Sequence, residues 1–146
     1  MATIEELDAV EQIKKLKARY FRFLDTKDWD SFQDVFAPDA TLDTTTDRPD
    51  VPVVKGNSNI RQYVERDAGP ISTVHQGHMP EIEITSPTTA TGIWAMQDVL
   101  KMPKDSPLGI KGLVAWGHCI DTYERIDGVW KIKTSRLTRI RRQVEL

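Results

Sequence analysis

Residues 120–132 read IDTYERIDGVWKI, and this stretch indicates a β-hairpin. Asp-Gly at positions 127–128 is a strong signal for a two-residue turn, and apolar and aromatic residues alternate on both sides of it. Such a turn places Glu124 opposite Lys131, which is a favourable cross-strand charge pair. The predicted strands cover residues 110–126 and 129–141.

Another hairpin, which is the first of the two in chain order, is predicted immediately upstream. The turn-forming sequence Ser-Pro-Thr-Thr separates two alternating segments, residues 71–84 and 89–102. In the later segment the even-numbered positions are apolar or glycine, except for the carboxylate of Asp98. A loop centred on Thr88 would place His78 opposite Asp98, on the apolar face of the sheet; a bulge at Gly77 would change this register.

The predicted pairing of His78 with Asp98 suggests a chemical role. A buried carboxylate is costly unless it is paired or hydrogen-bonded, and an imidazole meets that need. The carboxylate would hold one ring nitrogen and leave the other free to accept a proton, as a general base requires. The alternative is a buried pair that is satisfied and serves only the structure.

The first third of the chain is predicted to be helical. One short helix begins after Asp28 and ends at Pro38, and another follows Gly56, capped by Asn57 or Ser58. Before them, a long helix begins at a capping box formed by Thr3 and Glu6 and carries one apolar stripe. The stripe consists of Ile4, Leu7, Val10, Ile13, Leu16, Tyr20 and Leu24.

Helices ahead of an antiparallel sheet predict the α+β class, with a curved sheet wrapped around the N-terminal helices and a cavity between them. Tyr20 would present its hydroxyl to this cavity; the alternative is a core tyrosine bonded to the backbone. In the second hairpin, Trp116 is predicted to face Arg139, and His118 to face Leu137. The residues predicted to line the substrate pocket are Leu24, His75, Trp94, Met96, Trp116 and His118.

Composition narrows the function classes. The chain has 146 residues, the size of one domain spanning residues 1–146. With 20 basic and 22 acidic residues it lacks the positive excess of a nucleic-acid-binding protein. A single cysteine, Cys119, excludes an internal disulfide, and no apolar run is long enough for a membrane span. The N-terminus lacks a signal-peptide pattern, so a cytoplasmic location is expected.

Metals and cofactors are not expected from the sequence. His75 and His78 are three residues apart, so a regular strand would direct them to opposite faces. Neither a Gly-rich phosphate-binding loop nor a nucleophilic-serine motif occurs.

Four stretches carry a resemblance to a known family. They are IKKLKARYFRFLDTKDWDSFQDVFAPDA (13–40), GHMPEIEITSPTTATGIWAMQDVL (77–100), IDTYERIDGVWKI (120–132) and RLTRIR (136–141). With these stretches the chain resembles the SnoaL-like branch of the nuclear-transport-factor-2-like superfamily. Within that branch it is most similar to bile-acid 7α-dehydratases and scytalone dehydratases, and more distantly to hexachlorocyclohexane dehydrochlorinases.

The resemblance implies a cone-shaped α+β barrel with a deep apolar pocket and cofactor-free elimination. It also implies active-site roles for five residues, each matched within the quoted motifs: Tyr20, Asp25, His78, Asp98 and Arg139. Relatives form dimers or trimers through the open sheet face, so a homotrimer or homodimer is expected.

These observations predict a cofactor-independent lyase, in particular a dehydratase acting on a hydrophobic cyclic substrate that bears a carbonyl. His78 would remove the proton, Tyr20 would stabilise the developing enolate, and Asp25 would assist the leaving hydroxyl. Three alternatives remain. The same groups could serve an isomerase or cyclase, or a retro-aldol C–C lyase, and the fold could also serve a non-catalytic binding module.

Overall fold

The computed structural model describes residues 1–146 and has helices packed against one face of a six-stranded sheet. The predicted α+β class is confirmed. In chain order the elements are α1 (Ile4–Thr26), α2 (Trp29–Asp34), β1 (Phe36–Asp43), β2 (Val54–Lys55), α3 (Asn57–Ala68), β3 (Ser72–Ser86), β4 (Thr89–Lys101), β5 (Gly112–Ile126) and β6 (Val129–Glu145).

The sheet is curved but does not close into a barrel. Its strand order is β2-β1-β6-β5-β4-β3, so β2 and β3 form the two edges. The pairing of β1 with β6 is parallel and every other pairing is antiparallel. The open side leaves room between the helices and the inner face of the long strands.

Helix α1 follows the predicted pattern. Thr3 and Glu6 form the capping box, and the middle and end of the apolar stripe are buried from Ile13 to Leu24. Lys17 is also completely buried on this face, which the sequence does not indicate. The helix ends at Lys27, whose left-handed backbone (φ 62°) turns the chain towards α2.

The shorter elements differ from prediction in detail. The side chain of Asp28 caps α2 as expected, but this helix ends at Asp34, so Pro38 lies inside strand β1. Helix α3 begins after Gly56 without any side-chain cap, so the predicted caps Asn57 and Ser58 are wrong. Gly56 has a φ of 91°, a conformation that favours glycine and starts the helix from the backbone alone.

The turn of the second hairpin is confirmed, but its far end has a different register. Asp127 and Gly128 both have positive φ, and Glu124 lies opposite Lys131 as predicted. Two irregularities in the pairing of β5 with β6 then shift the later partners. Trp116 therefore lies opposite Arg141 and His118 opposite Thr138, so both predicted pairs, Trp116 with Arg139 and His118 with Leu137, are wrong.

The first hairpin also contains an irregularity, and it changes the candidate site. Between His78 and Glu81 the register shifts, so that His75 lies opposite Asp98 and His78 opposite Ala95. The predicted pair of His78 and Asp98 is therefore wrong. His78 and Met79 are both exposed, because the bulge switches which residues of β3 face the helices.

Glycine at position 77 permits the close approach of α1 to β3. A Cβ atom there would lie 2.5 Å from the Phe21 ring of α1. A side chain would push the helix away from the strand, and with it the residues at the end of α1 that contact β3. No helix is both long and apolar enough to span a bilayer.

Candidate active site

A histidine and a carboxylate meet where the end of α1 packs against β3. The Nδ1 atom of His75 lies 2.7 Å from Oδ1 of Asp25, and the backbone N–H of His75 donates to Oδ2 of Asp25 at 2.8 Å. Because a carboxylate only accepts, Nδ1 carries the hydrogen and Nε2 keeps its lone pair. Nε2 makes no hydrogen bond within the chain. The arrangement is that of a histidine oriented for proton transfer.

Neighbouring groups fix the carboxylate of Asp25. The hydroxyl of Thr73 donates to Oδ1 of Asp25 at 3.0 Å, and Lys27 Nζ donates in turn to Thr73 and to the carbonyl of Ala68, each at 2.9 Å. Burial lowers the pKa of Lys27, while the charge of Asp25 acts in the opposite direction. With three donors from the chain, Asp25 is held as an acceptor that orients His75.

A cavity of about 130 Å³ opens beside His75, and its wall is mostly apolar. Leu24 and Tyr20 from α1, Met96 from β4 and Cys119 from β5 form part of the wall. Burial raises the pKa of the Cys119 thiol to about 11, so this side chain is a neutral wall group. The cavity can therefore hold an apolar ring against the imidazole.

Tyr20 supplies a hydroxyl donor inside this cavity. Tyr20 is nearly buried, lines the cavity, and its hydroxyl makes no hydrogen bond to the chain. Burial raises the pKa of Tyr20, and the positive charge of Lys17 offsets this only in part. The phenol is thus neutral at physiological pH and free to donate to an oxygen of a bound molecule.

Arg139 also lines the cavity, where it belongs to a cluster of ion pairs. Its guanidinium donates to both carboxylate oxygens of Asp98, at 2.5 and 3.1 Å, and to both oxygens of Asp47, at 2.9 to 3.1 Å. Arg142 also pairs with Asp47. Burial opposes the charge of Arg139, but the hydrogen bonds to Asp98 and Asp47 outweigh it and hold its pKa above the ordinary value. The positive charges are therefore balanced within the cluster.

The pairing of Asp47 predicts a stability that depends on pH. Burial acts to raise the pKa of Asp47, but the bonds from Arg139 and Arg142 hold it below its usual 3.8. A depressed carboxylate pKa stabilises the fold above the unfolded pKa, and this contribution is lost as pH falls through the folded pKa. We expect Asp47→Asn to reduce the acid-induced loss of stability below about pH 4, measured by urea unfolding at several pH values. Asp105→Asn, at an exposed carboxylate that forms no ion pair, is the control; identical acid profiles for wild type and Asp47→Asn would contradict the prediction.

A second charged network lies behind Tyr20. Lys17 and Asp121 are both inaccessible to solvent, and Nζ donates to Oδ2 of Asp121 at 2.7 Å. Trp94 donates to the hydroxyl of Tyr123, which donates to the same oxygen. Burial acts to lower the pKa of Lys17, but the charge of Asp121 outweighs it and holds the pKa well above its usual value. The ammonium also lies 4.2 Å from the centre of the Tyr20 ring, so it packs beneath the cavity wall.

The structure brings together most of the residues predicted for the site. Those that line the inner cavity are Tyr20, Leu24, His75, Met96 and Arg139. Asp25 bonds to His75, and Asp98 lies beyond Arg139 at the wall of an adjacent pocket.

Four other predicted residues lie elsewhere. His78 is exposed on the opposite face of β3, while Trp116 and His118 alternate with the inward-facing Cys119 and so belong to the outer face of β5. Trp116 packs under Arg141 there, 4.7 Å from ring centre to guanidinium carbon. Trp94 is buried in the core, where it bonds to Tyr123, and does not line the cavity.

The sequence analysis missed three residues of the site. Asp47 lies in an irregular loop and has no periodicity to place it, so only its contact with Arg139 reveals it. Lys17 had a usable signal, since it follows Leu16 on the apolar face of α1. Tyr63 lies on α3, and nothing in its sequence spacing indicates its bond to Thr44 at 2.8 Å.

Comparisons with known proteins agree with this architecture. A protein of Gibberella zeae named a probable cyclase is 28% identical, over 96% of this chain and 95% of its own length. A hexachlorocyclohexane dehydrochlorinase (LinA, type 2) superposes with a TM-score of 0.85 at 18% identity, covering 99% of this chain and 94% of the other. A proposed scytalone dehydratase from Novosphingobium aromaticivorans gives 0.81 at 19% identity, covering 94% and 87%. At these identities the two solved structures show a shared fold.

The family follows from the sequence match. The family model described as a SnoaL-like domain matches residues 5–136, which is most of the chain. The resemblance carried by the motifs of α1, the two hairpins and β6 is thereby confirmed. This protein belongs to the SnoaL-like domain family.

Proposed function

We propose that this protein is a cofactor-independent enzyme acting on small molecules, and that it is a lyase that eliminates water from a cyclic substrate bearing a carbonyl. The observation that carries the proposal is the oriented pair of Asp25 and His75 at the wall of an apolar cavity. A binding module would need neither an oriented imidazole nor a free ring nitrogen beside its ligand. The names of the similar proteins, a cyclase, a dehydrochlorinase and a proposed dehydratase, support an enzyme of this kind.

In the proposed reaction, His75 Nε2 takes a proton from the carbon next to the substrate carbonyl. The electron pair of the broken C–H bond moves towards the carbonyl and forms an enolate, whose oxygen accepts a hydrogen bond from Tyr20. The imidazolium that forms is stabilised by the charge of Asp25. Proton removal therefore uses an oriented base and a neutral donor that line the same cavity.

The second half of the reaction releases water. As the enolate collapses, the C–O bond to the hydroxyl breaks and a double bond forms next to the carbonyl. The leaving hydroxide takes the proton held on His75, which restores the neutral imidazole. We assign this step to His75 because the oxygens of Asp25 are already occupied by three donors of the chain.

A cyclase or isomerase is the second candidate. It is favoured by the relative from Gibberella zeae, which is 28% identical over nearly the whole chain and is named a probable cyclase. Ring closure or double-bond migration through an enolate requires the same base and the same oxyanion donor. The two candidates differ in the fate of the enolate, because only elimination expels a leaving group.

A turnover screen tests the proposal. Hydroxylated cyclic ketones, from monocyclic to tetracyclic, would be incubated with the protein and a chelator, and new conjugated absorbance would be followed in the ultraviolet. Absorbance that appears together with loss of one water by mass spectrometry is the expected result. A product of unchanged mass would favour the isomerase or cyclase, and absence of any turnover would overturn the enzymatic proposal.

We further propose that the outer face of the sheet joins copies of this chain in a homotrimer or homodimer. Val74, Val99 and Val114 lie opposite one another on three adjacent strands, and the first two are 48% and 39% exposed. Ile93, also on β4, shares this face and is exposed as well. A contiguous exposed apolar surface of this kind is typical of an interaction site.

Light scattering coupled to size-exclusion chromatography measures this directly. We expect a mass about two or three times the 16.6 kDa of one chain. Val99→Glu should shift the protein towards the single-chain mass, because a charge on this face is costly to bury. Elution of the wild type at 16.6 kDa would contradict the proposal.

A further inference from the structure

We propose that Tyr63, bonded to Thr44, separates an inner reaction cavity from an outer pocket and limits the part of a substrate that enters the inner cavity to one six-membered ring. This inference rests on the proposed function, which places the reacting ring of the substrate beside His75. It adds an expected size and charge for that substrate. It assigns Tyr63 and Thr44 the role of specificity-determining residues, without a part in proton transfer.

Two depressions share a boundary at this pair. The inner cavity, of about 130 Å³, and an outer pocket, of about 240 Å³, are lined in common by Thr44, Tyr63, Ala68 and His75. The hydroxyls of Thr44 and Tyr63 are 2.8 Å apart, which joins the end of β1 to α3 across this boundary. The guanidinium of Arg66 lies 5.5 Å from the centre of the Tyr63 ring and supports it from α3. The side chain of Tyr63 is therefore held by a hydrogen bond at its hydroxyl and by a cation–π contact on its ring.

The volume of the inner cavity sets the size of its occupant. An apolar cavity of about 150 Å³ is large enough to bind benzene. The inner cavity here is about 130 Å³, so it holds a single ring and not a fused pair. A larger substrate would then place its second ring beyond Thr44 and Tyr63, in the outer pocket. The part of the substrate beyond the first ring must therefore be slender enough to pass this boundary.

The outer pocket differs from the inner cavity in its chemistry. Its wall includes Asp47, Arg48, Asp67 and Asp98, whereas the inner wall is mostly apolar. Arg48 donates to Asp67 at 2.9 Å, while Asp47 and Asp98 both pair with Arg139. Because each charge in the wall already has a partner, neither a carboxylate nor an ammonium of a ligand would find an unpaired counter-charge. The substrate expected is an uncharged molecule with one ring inside and polar groups, such as hydroxyls, outside.

The hydrogen-bonded pair of Tyr63 and Thr44 is called the gate below. Binding of two uncharged probes tests whether this gate limits ring size, and it does not require the substrate to be known. Phenol and 1-naphthol present the same hydroxyl on one ring and on two fused rings. Isothermal titration calorimetry on the full chain should show 1-naphthol binding to wild type about tenfold or more weakly than phenol. Tyr63→Ala should improve the affinity for 1-naphthol by about tenfold while changing that for phenol less than about threefold. Tyr63→Phe and Thr44→Val, which break only the hydrogen bond, should give intermediate gains.

Controls separate the gate from the catalytic proposal. Cys119→Leu fills the inner cavity and should abolish phenol binding, which locates the probe. His75→Ala should retain the discrimination between the probes even where turnover is lost, so failure of the enzyme mechanism leaves the gate testable. Equal binding of both probes to wild type, no response of 1-naphthol to Tyr63→Ala, or no phenol binding to wild type would each overturn the gate.

Discussion

Replacing His75 by alanine is expected to reduce turnover by about 10²–10⁴-fold, the contribution typical of a positioned general base. The imidazole is the group beside the cavity whose free nitrogen can accept a proton, since its Nδ1 is bound to Asp25. Removing it takes away both the base and the proton that the leaving group needs. The measurement is the rate constant on whichever compound the turnover screen identifies, with circular dichroism as the check on folding.

Two further variants sharpen this prediction. Asp25→Asn keeps the size of the side chain but removes the charge that stabilises the imidazolium, so a loss in the same range of about 10²–10⁴-fold is expected. His78→Ala is the matched control, because His78 is a histidine of the same strand that is exposed on the other face. We expect its rate to stay within about twofold of wild type. A large loss in His78→Ala together with an active His75→Ala would contradict the assignment.

Breaking the buried ion pair behind the cavity is expected to have the largest effect on stability. Lys17→Met leaves the carboxylate of Asp121 in the core without its counter-charge, and Oδ1 of this carboxylate already has no hydrogen-bond partner. Removing one partner of such a pair costs about 3–5 kcal/mol, a large share of the stability of a typical domain. The free energy of unfolding from urea denaturation measures this, provided that the m-value is unchanged.

The double variant Lys17→Met/Asp121→Leu distinguishes lost pairing from lost packing. Replacing both charges by apolar side chains removes the unpaired carboxylate, so most of the stability should return. Lys14→Met is the surface control, because its pair with Glu11 on the same helix is exposed; we expect a change within about 0.5 kcal/mol. A Lys17→Met variant within about 1 kcal/mol of wild type would show that the pair contributes little, contrary to expectation.

The features predicted correctly from the sequence depend on local chemistry. Thr3 and Glu6 cap α1, Asp127-Gly128 makes the turn of the second hairpin, and even-numbered residues of β4 such as Asp98 face inward. Each follows from residues that are neighbours along the chain. The SnoaL-like family is likewise carried by motifs within single elements.

The incorrect predictions concern strand register, which depends on contacts between residues that are far apart in the chain. The bulge after His78 is set by how β3 packs against α1, where Gly77 faces the ring of Phe21. One inserted residue reverses the faces of a strand, so His78 lies outside the site, and His75, predicted only to line the pocket, is the histidine that pairs with a carboxylate. The same effect in β6 removed the predicted pair of Trp116 with Arg139.

By itself, the sequence determined the long helix, the two hairpins, the α+β class and the family, and it predicted Tyr20, Asp25 and Arg139 as candidate site residues. Only the tertiary structure decided which histidine Asp25 holds, that Asp47 and Asp98 share Arg139, and that Tyr63 bonds to Thr44 where two pockets meet. The physical reason is that helix periodicity, capping and tight turns are local, whereas these contacts join residues far apart in the chain. Their partners depend on strand register and on helix-to-sheet packing, which form only when the whole domain folds.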